Sequence, residues 1–309
     1  MLSVKQEVSF TDNLEFFARQ VVEGFLTGLH KSPYHGFSVE FAEHRLYNQG
    51  DSIKNIDWKL FGRSDKVFVK KFEEETNLRS YILIDTSSSM WYPNVKKQQE
   101  DFSKLSFSLY SAACLMHLFQ KQRDGFGLTF YSDKLDFFSV AKSNKSHYNR
   151  LMGEVEKMLK KTHHKETKST KFSATISEFI EKIPQRSLII IFSDMMNFDK
   201  QSTKNLFEPF QHLRYRKNEI ILFHVQDFNR EKLFNFSNQP HEFIDLENQS
   251  KIQLNPSSYK KIYTQLYNDF QKELELYCYQ YKIDYVPAFI QDGFSKVLLS
   301  YLTKRSKLF

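Results

Sequence analysis

The sequence predicts an α/β fold in which helices cover both faces of a mainly parallel sheet. Short, continuously apolar segments, such as YILID at 81–85 and LIIIFS at 188–193, alternate with longer amphipathic segments. A strand that is apolar on both faces is typical of a parallel sheet, because helices bury both sides of such a sheet.

Length and composition are consistent with this fold class. The chain has 309 residues, of which 40% are apolar, and only 9 Gly and 7 Pro. It can therefore build a large core, and its composition is unlike that of a fibrous or disordered protein. The length suits one large domain with an extension, or two domains. We predict a domain at 79–309 with an N-terminal extension, residues 1–78, packed on it.

The net charge of the chain does not identify one class of partner. The formal net charge is +7, which permits nucleic acid, an anionic membrane or an acidic protein as partner and selects none of them. Nucleic-acid binding ranks last, because the sequence contains no recognised motif for it. Cys114 and Cys278 lie in helix-like patterns and are expected to be buried thiols. With no signal-peptide pattern and no run of about 18 apolar residues, we expect a cytoplasmic protein without a membrane span.

The elements follow one another in a regular order. Residues 12–29 carry apolar side chains at helical spacing, and 66–72 alternate like a strand. Asn255 and Pro256 are typical of the first positions of a helix. From residue 81 onward we predict strands at 81–85, 125–132, 135–140, 187–194, 218–227 and 282–289, and helices at 100–122, 147–160, 172–183, 255–281 and 293–302.

Oxygen-bearing side chains follow two of the buried strands. Asp85, Ser87 and Ser89 come directly after one strand, and Asp194 follows another. Thr170 immediately precedes a predicted helix. Functional sites of such folds lie at the carboxyl ends of the strands, and Mg²⁺ prefers six oxygen ligands. These residues also suit turns and helix caps, which is the competing interpretation. The shared position after two strands favours a divalent-metal site with an open coordination position.

The motifs resemble those of a known family. IDTSSSM, Thr170 and FSD resemble the metal-ion-dependent adhesion site of von Willebrand factor A domains. Residues 45–75 are similar to a signature of the bacterial domain-of-unknown-function family fifty-eight, with RLY, GD, IDW and KKFEEE in order. The resemblance spans roughly residues 30–305. It implies a von Willebrand A-like fold and a Mg²⁺ site, or one for another divalent cation, with the ligands Asp85, Ser87, Ser89, Thr170 and Asp194.

The second motif departs from the family pattern. Glycines often precede its threonine, whereas here the sequence reads Lys168-Ser169-Thr170, and Thr167 is an alternative ligand. The loop before Thr170 is rich in lysine. Lys161, Lys165 and Lys168 are expected to surround the site and to favour an acidic partner. His163 and His164 lie in this loop without further ligands at zinc spacing, so we interpret them as solvated.

The upstream signature has two interpretations. Its charged and aromatic side chains could form a buried ion-pair network that fastens the segment to the domain, which we favour, or a docking surface for a partner. They are Arg45, Asp51, Asp57, Trp58 and Arg63.

Two functions fit the predicted site. The first is a non-enzymatic, metal-dependent protein-binding module that captures a partner's carboxylate. For this module the resemblance implies a MoxR-type AAA ATPase as partner, in protein assembly or maturation. The alternative is a metal-dependent hydrolase, for instance a phosphoesterase, at the same Asp/Ser site. A hydrolase needs a general base, to which Asp133 and Asp199 are candidate contributors, and no G-x-S-x-G is present to activate a serine.

Overall fold

A six-stranded sheet forms the centre of the computed structural model. The structure describes residues 13–30, 44–46, 62, 68–70, 79–93, 102–161, 172–196 and 203–305. The strands are β1 His44–Leu46, β2 Phe68–Lys70, β3 Arg79–Asp85, β4 Gly125–Tyr131, β5 Leu135–Phe138, β6 Leu188–Ser193, β7 Glu219–Gln226, β8 His241–Ile244, β9 Lys251–Leu254 and β10 Asp284–Phe289. The helices are α1 Leu14–His30, α2 Lys104–Gln122, α3 Lys145–Leu159, α4 Phe172–Lys182, α5 Thr203–Tyr215, α6 Pro256–Gln280 and α7 Ser295–Arg305.

The central sheet has the strand order β10-β7-β6-β3-β4-β5. Each neighbouring pair is parallel except β4 with β5, which pair antiparallel at one edge. The predicted mainly parallel sheet is therefore confirmed. All six residues of β6 are buried, as its continuous apolar sequence predicts.

Helices cover both faces of this sheet, as predicted. On one face, Tyr81 and Leu83 belong to a buried cluster with apolar side chains of α4, α5 and α6. On the other face, the ring of Phe119 in α2 contacts Phe126 in β4 and Tyr301 in α7. Phe126 also contacts Tyr148 in α3. The apolar stripes on the helices thus form two layers of core, one on each side of the strands.

Helix ends follow the sequence signals where these exist. Asn255 accepts a hydrogen bond from Ser257 N at 3.3 Å, and Pro256 occupies the first helical position, as predicted for α6. Helix α2 begins after Ser103, whose side chain accepts from Ser106 N. Both cysteines are buried and neither forms a disulfide, as predicted.

The N-terminal helix α1 packs on the α/β core. The ring of Phe17 lies 4.9 Å from Tyr110 and 5.4 Å from Phe294, centroid to centroid. The described residues fall into two compact units, one within 1–28 and 78–309 and the other within 29–77. In the second unit, β1 pairs antiparallel with β2. Packing of the whole extension 1–78 on the domain 79–309 stays a prediction beyond α1.

Among the described helices, none has both the length and the apolar character needed to cross a membrane.

Candidate metal centre

The candidate site lies where β3 and β6 end side by side. The two strands are parallel neighbours, with Ile84 opposite Phe192, so Asp85 and Asp194 follow at the same edge. From β3 the chain passes through α2 to β4, which lies on one side of β3 in the sheet. From β6 it passes through α5 to β7, which lies on the opposite side. The strand order therefore reverses between β3 and β6, and such a switch point is where open α/β sheets bind ligands.

The first motif forms a compact turn of oxygen atoms. Asp85 is 2% exposed, and its Oδ1 accepts a 2.9 Å hydrogen bond from Ser87 N. The hydroxyl oxygens of Ser87 and Ser89 lie 3.1 Å apart. A short 3₁₀ helix, Ser88–Trp91, carries the chain away. The alternate spacing of the two serines thus places both hydroxyls together, as the metal-site interpretation requires.

Ser193, at the end of β6, joins the two strand ends. Its Oγ donates a 2.8 Å hydrogen bond to Asp85 Oδ2 and accepts one from Met195 N at 3.1 Å. Burial raises the pKa of the Asp85 carboxyl to about 7, and the negative charge of Asp194 adds to the effect. Asp85 is thus a buried acid that a nearby cation would stabilise in its charged form.

Asp194 has a partner that the sequence analysis missed. Its Oδ2 lies 2.7 Å from the ammonium nitrogen of Lys104, the first residue of α2. The same ammonium lies 2.6 Å from Glu231 Oε1. Burial alone would lower the pKa of Lys104, but the Asp194 and Glu231 carboxylates raise it above its usual value. Lys104 is therefore a permanent cation inside the candidate site.

One sequence signal could have indicated Lys104. The amino end of a helix carries partial positive charge and disfavours lysine, so a lysine directly after the N-cap Ser103 indicates a strong anionic partner elsewhere. Glu231 has no comparable signal, because it lies in a π-helical turn, Phe228–Lys232, that periodicity does not predict.

A buried histidine holds the loop that carries Asp194. His224 in β7 lies with Nε2 2.9 Å from the Asp194 carbonyl oxygen and Nδ1 2.7 Å from the Tyr285 hydroxyl. Burial lowers the pKa of His224 to about 4, so the ring is neutral. A neutral ring donates a hydrogen bond from Nε2 to the carbonyl and accepts one at Nδ1, which both the Tyr285 hydroxyl and the Gln226 amide contact. His224 thereby fixes the backbone at Asp194.

Several predicted residues lie outside the described part of the chain. These are Thr170, its alternative Thr167, Lys165, Lys168, His163, His164 and Asp199. Lys161 is described, and it is exposed just beyond α3. Of the upstream signature, Asp51, Asp57, Trp58 and Arg63 also lie outside, and Arg45 is described only as part of β1. The two interpretations of that signature therefore both stay open.

Asp133 was considered as a contributor to hydrolysis. It is exposed, and its Oδ1 lies 3.1 Å from Ser132 Oγ. That serine hydroxyl also lies 3.0 Å from Oδ2 of Asp136, which in turn accepts a 3.3 Å hydrogen bond from Thr86 Oγ1. Asp136 was not singled out from the sequence, although its carboxylate contacts the residue next to Asp85.

The first motif fits an oxygen-preferring divalent cation. Asp85, Ser87 and Ser89 supply one carboxylate and two adjacent hydroxyls, a donor set that suits Mg²⁺. Within the described ranges, no three His, Cys, Asp or Glu side chains converge as metal ligands, so this site depends on its hydroxyls. Asp194 Oδ2 accepts a hydrogen bond from Lys104, and the role of Asp194 as a metal ligand stays a prediction.

A cavity of about 380 Å³ adjoins the site. Ser89 and Lys104 line one side of it. Aromatic and aliphatic side chains also line it, among them Phe243 and Ile244 from the hairpin that β8 forms with β9, and so do the charged side chains of Arg230, Glu231, Asp245 and Glu247. No strand was predicted for either half of this hairpin from the sequence. A ligand at the serine hydroxyls would therefore have both apolar and charged side chains beside it.

Fold and site together define an α/β protein with an Asp/Ser oxygen site at the switch point of its sheet. The family described as protein of unknown function DUF58 matches residues 43–272. The chain belongs to this family, as the upstream signature and the Asp-x-Ser-x-Ser motif predict. Family membership and the mainly parallel sheet together confirm the von Willebrand A-like fold class.

Curated relatives match a smaller part of the chain. The uncharacterized protein Rv1480 of Mycobacterium tuberculosis is 27% identical over 90 residues, which is 29% of this chain and 28% of the relative. The uncharacterized protein Mb1516 of Mycobacterium bovis matches with the same values. The matched stretch thus spans only about a quarter of these relatives.

Two solved structures align with most of this chain at low sequence identity. The conserved hypothetical protein BatB from Bacteroides thetaiotaomicron is 13% identical, with a TM-score of 0.47, covering 75% of this chain and 100% of that one. The VWA domain of SpRpn10 is 12% identical, with a TM-score of 0.37, covering 72% of this chain and 94% of that one.

Proposed function

We propose that this protein is a non-catalytic binding module that uses a divalent cation, Mg²⁺ in the first instance, to capture a carboxylate of a partner protein. The observation that carries the proposal is the 3.1 Å approach of the Ser87 and Ser89 hydroxyls beside the buried Asp85 carboxylate. Hydroxyl ligands leave most of the cation's charge uncompensated, so the cation retains affinity for an external carboxylate. Thr170 and Asp194 complete the proposed ligand set.

The surroundings of the site suit a protein partner. Ser89 contributes one of the two hydroxyls and also lines the cavity, so a partner could place a carboxylate at the cation and an apolar side chain against Phe243 and Ile244. Lys161 is exposed and begins the lysine-rich segment that continues through Lys165 and Lys168. Positive charge there would accelerate association with an acidic surface. On the family resemblance, we propose a MoxR-type AAA ATPase as the partner, acting with this protein in cytoplasmic assembly or maturation of other proteins.

Calorimetry tests the metal step. Mg²⁺ or Mn²⁺ should bind the wild-type chain with one site, and Asp85→Asn should remove that binding while preserving the turn, since asparagine can still accept the Ser87 N–H. Asp284→Ala is the matched control, because Asp284 is an exposed carboxylate at the amino end of β10, away from the site edge. Equal metal affinity in wild type and Asp85→Asn would refute the assignment.

A binding assay tests the partner step. A purified MoxR-type ATPase from the same organism should bind the immobilised wild-type chain in Mg²⁺ and dissociate in chelator, and Asp85→Asn should bind at least tenfold more weakly, a difference of about 1.4 kcal/mol. A complex that survives chelator unchanged would show that the cation does not bridge the two proteins. A pull-down from cells, with and without chelator, then identifies any other metal-dependent partner.

A further inference from the structure

Lys104 is a buried lysine whose ammonium is held between two carboxylates. Its side chain is 1% exposed, and its ammonium lies between the Asp194 and Glu231 carboxylates, whose side chains are 3% and 9% exposed. Each carboxylate has one oxygen fixed by a backbone N–H: Asp194 Oδ1 accepts from Met196 N at 3.2 Å, and Glu231 Oε2 accepts from Asp227 N at 2.7 Å. The other oxygen of each is directed at Lys104. The arrangement is therefore a built pair of anionic ligands around one cation.

Lys104 lies close to the first motif, because both are near the Asp194 carboxylate. Asp194 directly follows Ser193, whose hydroxyl donates a 2.8 Å hydrogen bond to Asp85 Oδ2, and Lys104 and Ser89 line the same cavity. A divalent cation at Ser87 and Ser89 would thus lie close to a fixed positive charge. Like charges repel strongly in a site with little water, and an oxygen that accepts from an ammonium is a poorer metal ligand.

We propose that Lys104 is a built-in competitor of the divalent cation: it holds Asp194 and thereby weakens metal binding at Asp85, Ser87 and Ser89. This inference rests on the proposed metal-binding function. Glu231 has the opposite effect, because it shares the ammonium and draws positive charge away from Asp194. The pair of residues therefore sets the metal concentration at which the module becomes competent to bind its partner.

The test uses MgCl₂ and MnCl₂ titrations of the full chain, read by calorimetry and by the metal-dependent shift in thermal unfolding temperature. Lys104→Met should bind the cation at least tenfold more tightly than wild type, and its unfolding temperature should rise more on metal addition. Glu231→Gln should bind more weakly than wild type, because the ammonium is then balanced by Asp194 alone. Opposite changes in the two variants are the signature of competition.

Lys104→Met leaves two buried carboxylates without their cation, and this can prevent folding, so a second variant is needed. The double variant Lys104→Met/Glu231→Gln removes one of these carboxylates and should still bind metal more tightly than wild type. If wild type binds metal and neither lysine variant binds more tightly, the competition is refuted while the metal site stands. If neither wild type nor these variants bind metal, the proposed function and this inference both fail. Binding by the lysine variants alone would refute the proposed function of the wild-type chain while supporting the competition between Lys104 and the cation.

Discussion

Ser193 donates a 2.8 Å hydrogen bond to Asp85 and so ties the carboxyl end of β6 to that of β3. Both residues are nearly inaccessible to solvent, with exposed fractions of 2%. This bond satisfies Oδ2 of the Asp85 carboxylate, and Ser87 N donates to the other oxygen, Oδ1. The site is therefore organised by the sheet itself before any ligand arrives.

Removing this hydrogen bond should destabilise the fold. Ser193→Ala leaves one Asp85 oxygen and Met195 N without their partner, and we expect a loss of about 1–3 kcal/mol in the free energy of unfolding, measured by urea denaturation. Ser80→Ala is the matched control, because the buried Ser80 hydroxyl has no hydrogen-bond partner among the described residues. That control should change the free energy by less than about 0.5 kcal/mol. Equal losses in the two variants would contradict the role of Ser193.

Helix α1 should contribute to the stability of the α/β core. Phe17 is 1% exposed and contacts two aromatic rings of the core, so Phe17→Ala should cost about 3–5 kcal/mol. Phe16, its neighbour in the same helix, is 47% exposed, and Phe16→Ala should cost less than about 1 kcal/mol. Denaturation curves of both variants measure the difference. If the denaturation curve of Phe17→Ala coincides with that of wild type, α1 does not contribute to the stability of the core.

Replacing Gly127 or Gly153 by alanine should change the stability of the chain in opposite directions. A Cβ on Gly127 in β4 would lie 2.5 Å from the Ser139 carbonyl oxygen and 2.9 Å from Tyr81 Cδ1, so Gly127→Ala forces the backbone apart and should cost at least about 1–3 kcal/mol. A Cβ on Gly153 in α3 meets no atom within 4 Å. Gly153→Ala should therefore stabilise the chain by about 0.5–1 kcal/mol, through the higher helix propensity of alanine. Thermal unfolding of the two variants checks both signs.

His147 should make stability depend on pH. It is buried at the start of α3, with Nε2 2.9 Å from the Phe126 carbonyl oxygen, and burial lowers its pKa, aided by Arg150 and Lys142 and opposed by this hydrogen bond. As pH falls below the unfolded value of about 6.5, the unfolded chain therefore binds a proton before the folded chain does. This contribution to stability is complete above that pH and is lost as pH decreases through it. Wild type should lose more stability than His147→Gln between pH 7.5 and 5, and parallel losses would argue against this role.

The lysine-rich segment should govern the rate of partner association. Replacing Lys161, Lys165 and Lys168 by glutamine should slow association and flatten its salt dependence while leaving the complex sensitive to chelator, because long-range attraction is screened over about 8 Å at physiological salt. The matched control replaces three exposed lysines at the opposite edge of the sheet, Lys121, Lys217 and Lys282. Surface plasmon resonance measures both rates. Equal slowing in the two triple variants would mean that net charge alone matters.

The sequence by itself determined the fold class and the first motif. Apolar periodicity indicates which segments are buried on one face or two, and this is sufficient to predict β3, β6 and β7 and the helices α2, α4 and α6, although α5 was not predicted. The Asp-x-Ser-x-Ser spacing is local, so the meeting of the Ser87 and Ser89 hydroxyls follows from a single turn. Periodicity did not predict the hairpin of β8 and β9, because its alternating side chains are only half-buried or exposed.

Only the tertiary structure decided what surrounds Asp194. Lys104 lies 90 positions before it in the chain and 127 positions before Glu231, and no local pattern records that these three side chains converge. Such contacts cannot be predicted from a local pattern, because these residues are far apart in the chain. They meet only because the sheet places the end of β6 beside the end of β3, close to the start of α2. The burial that excludes water from Lys104 is likewise a property of the packed layers. For that reason the motif could be read from the chain, whereas the cation already paired with Asp194 could not.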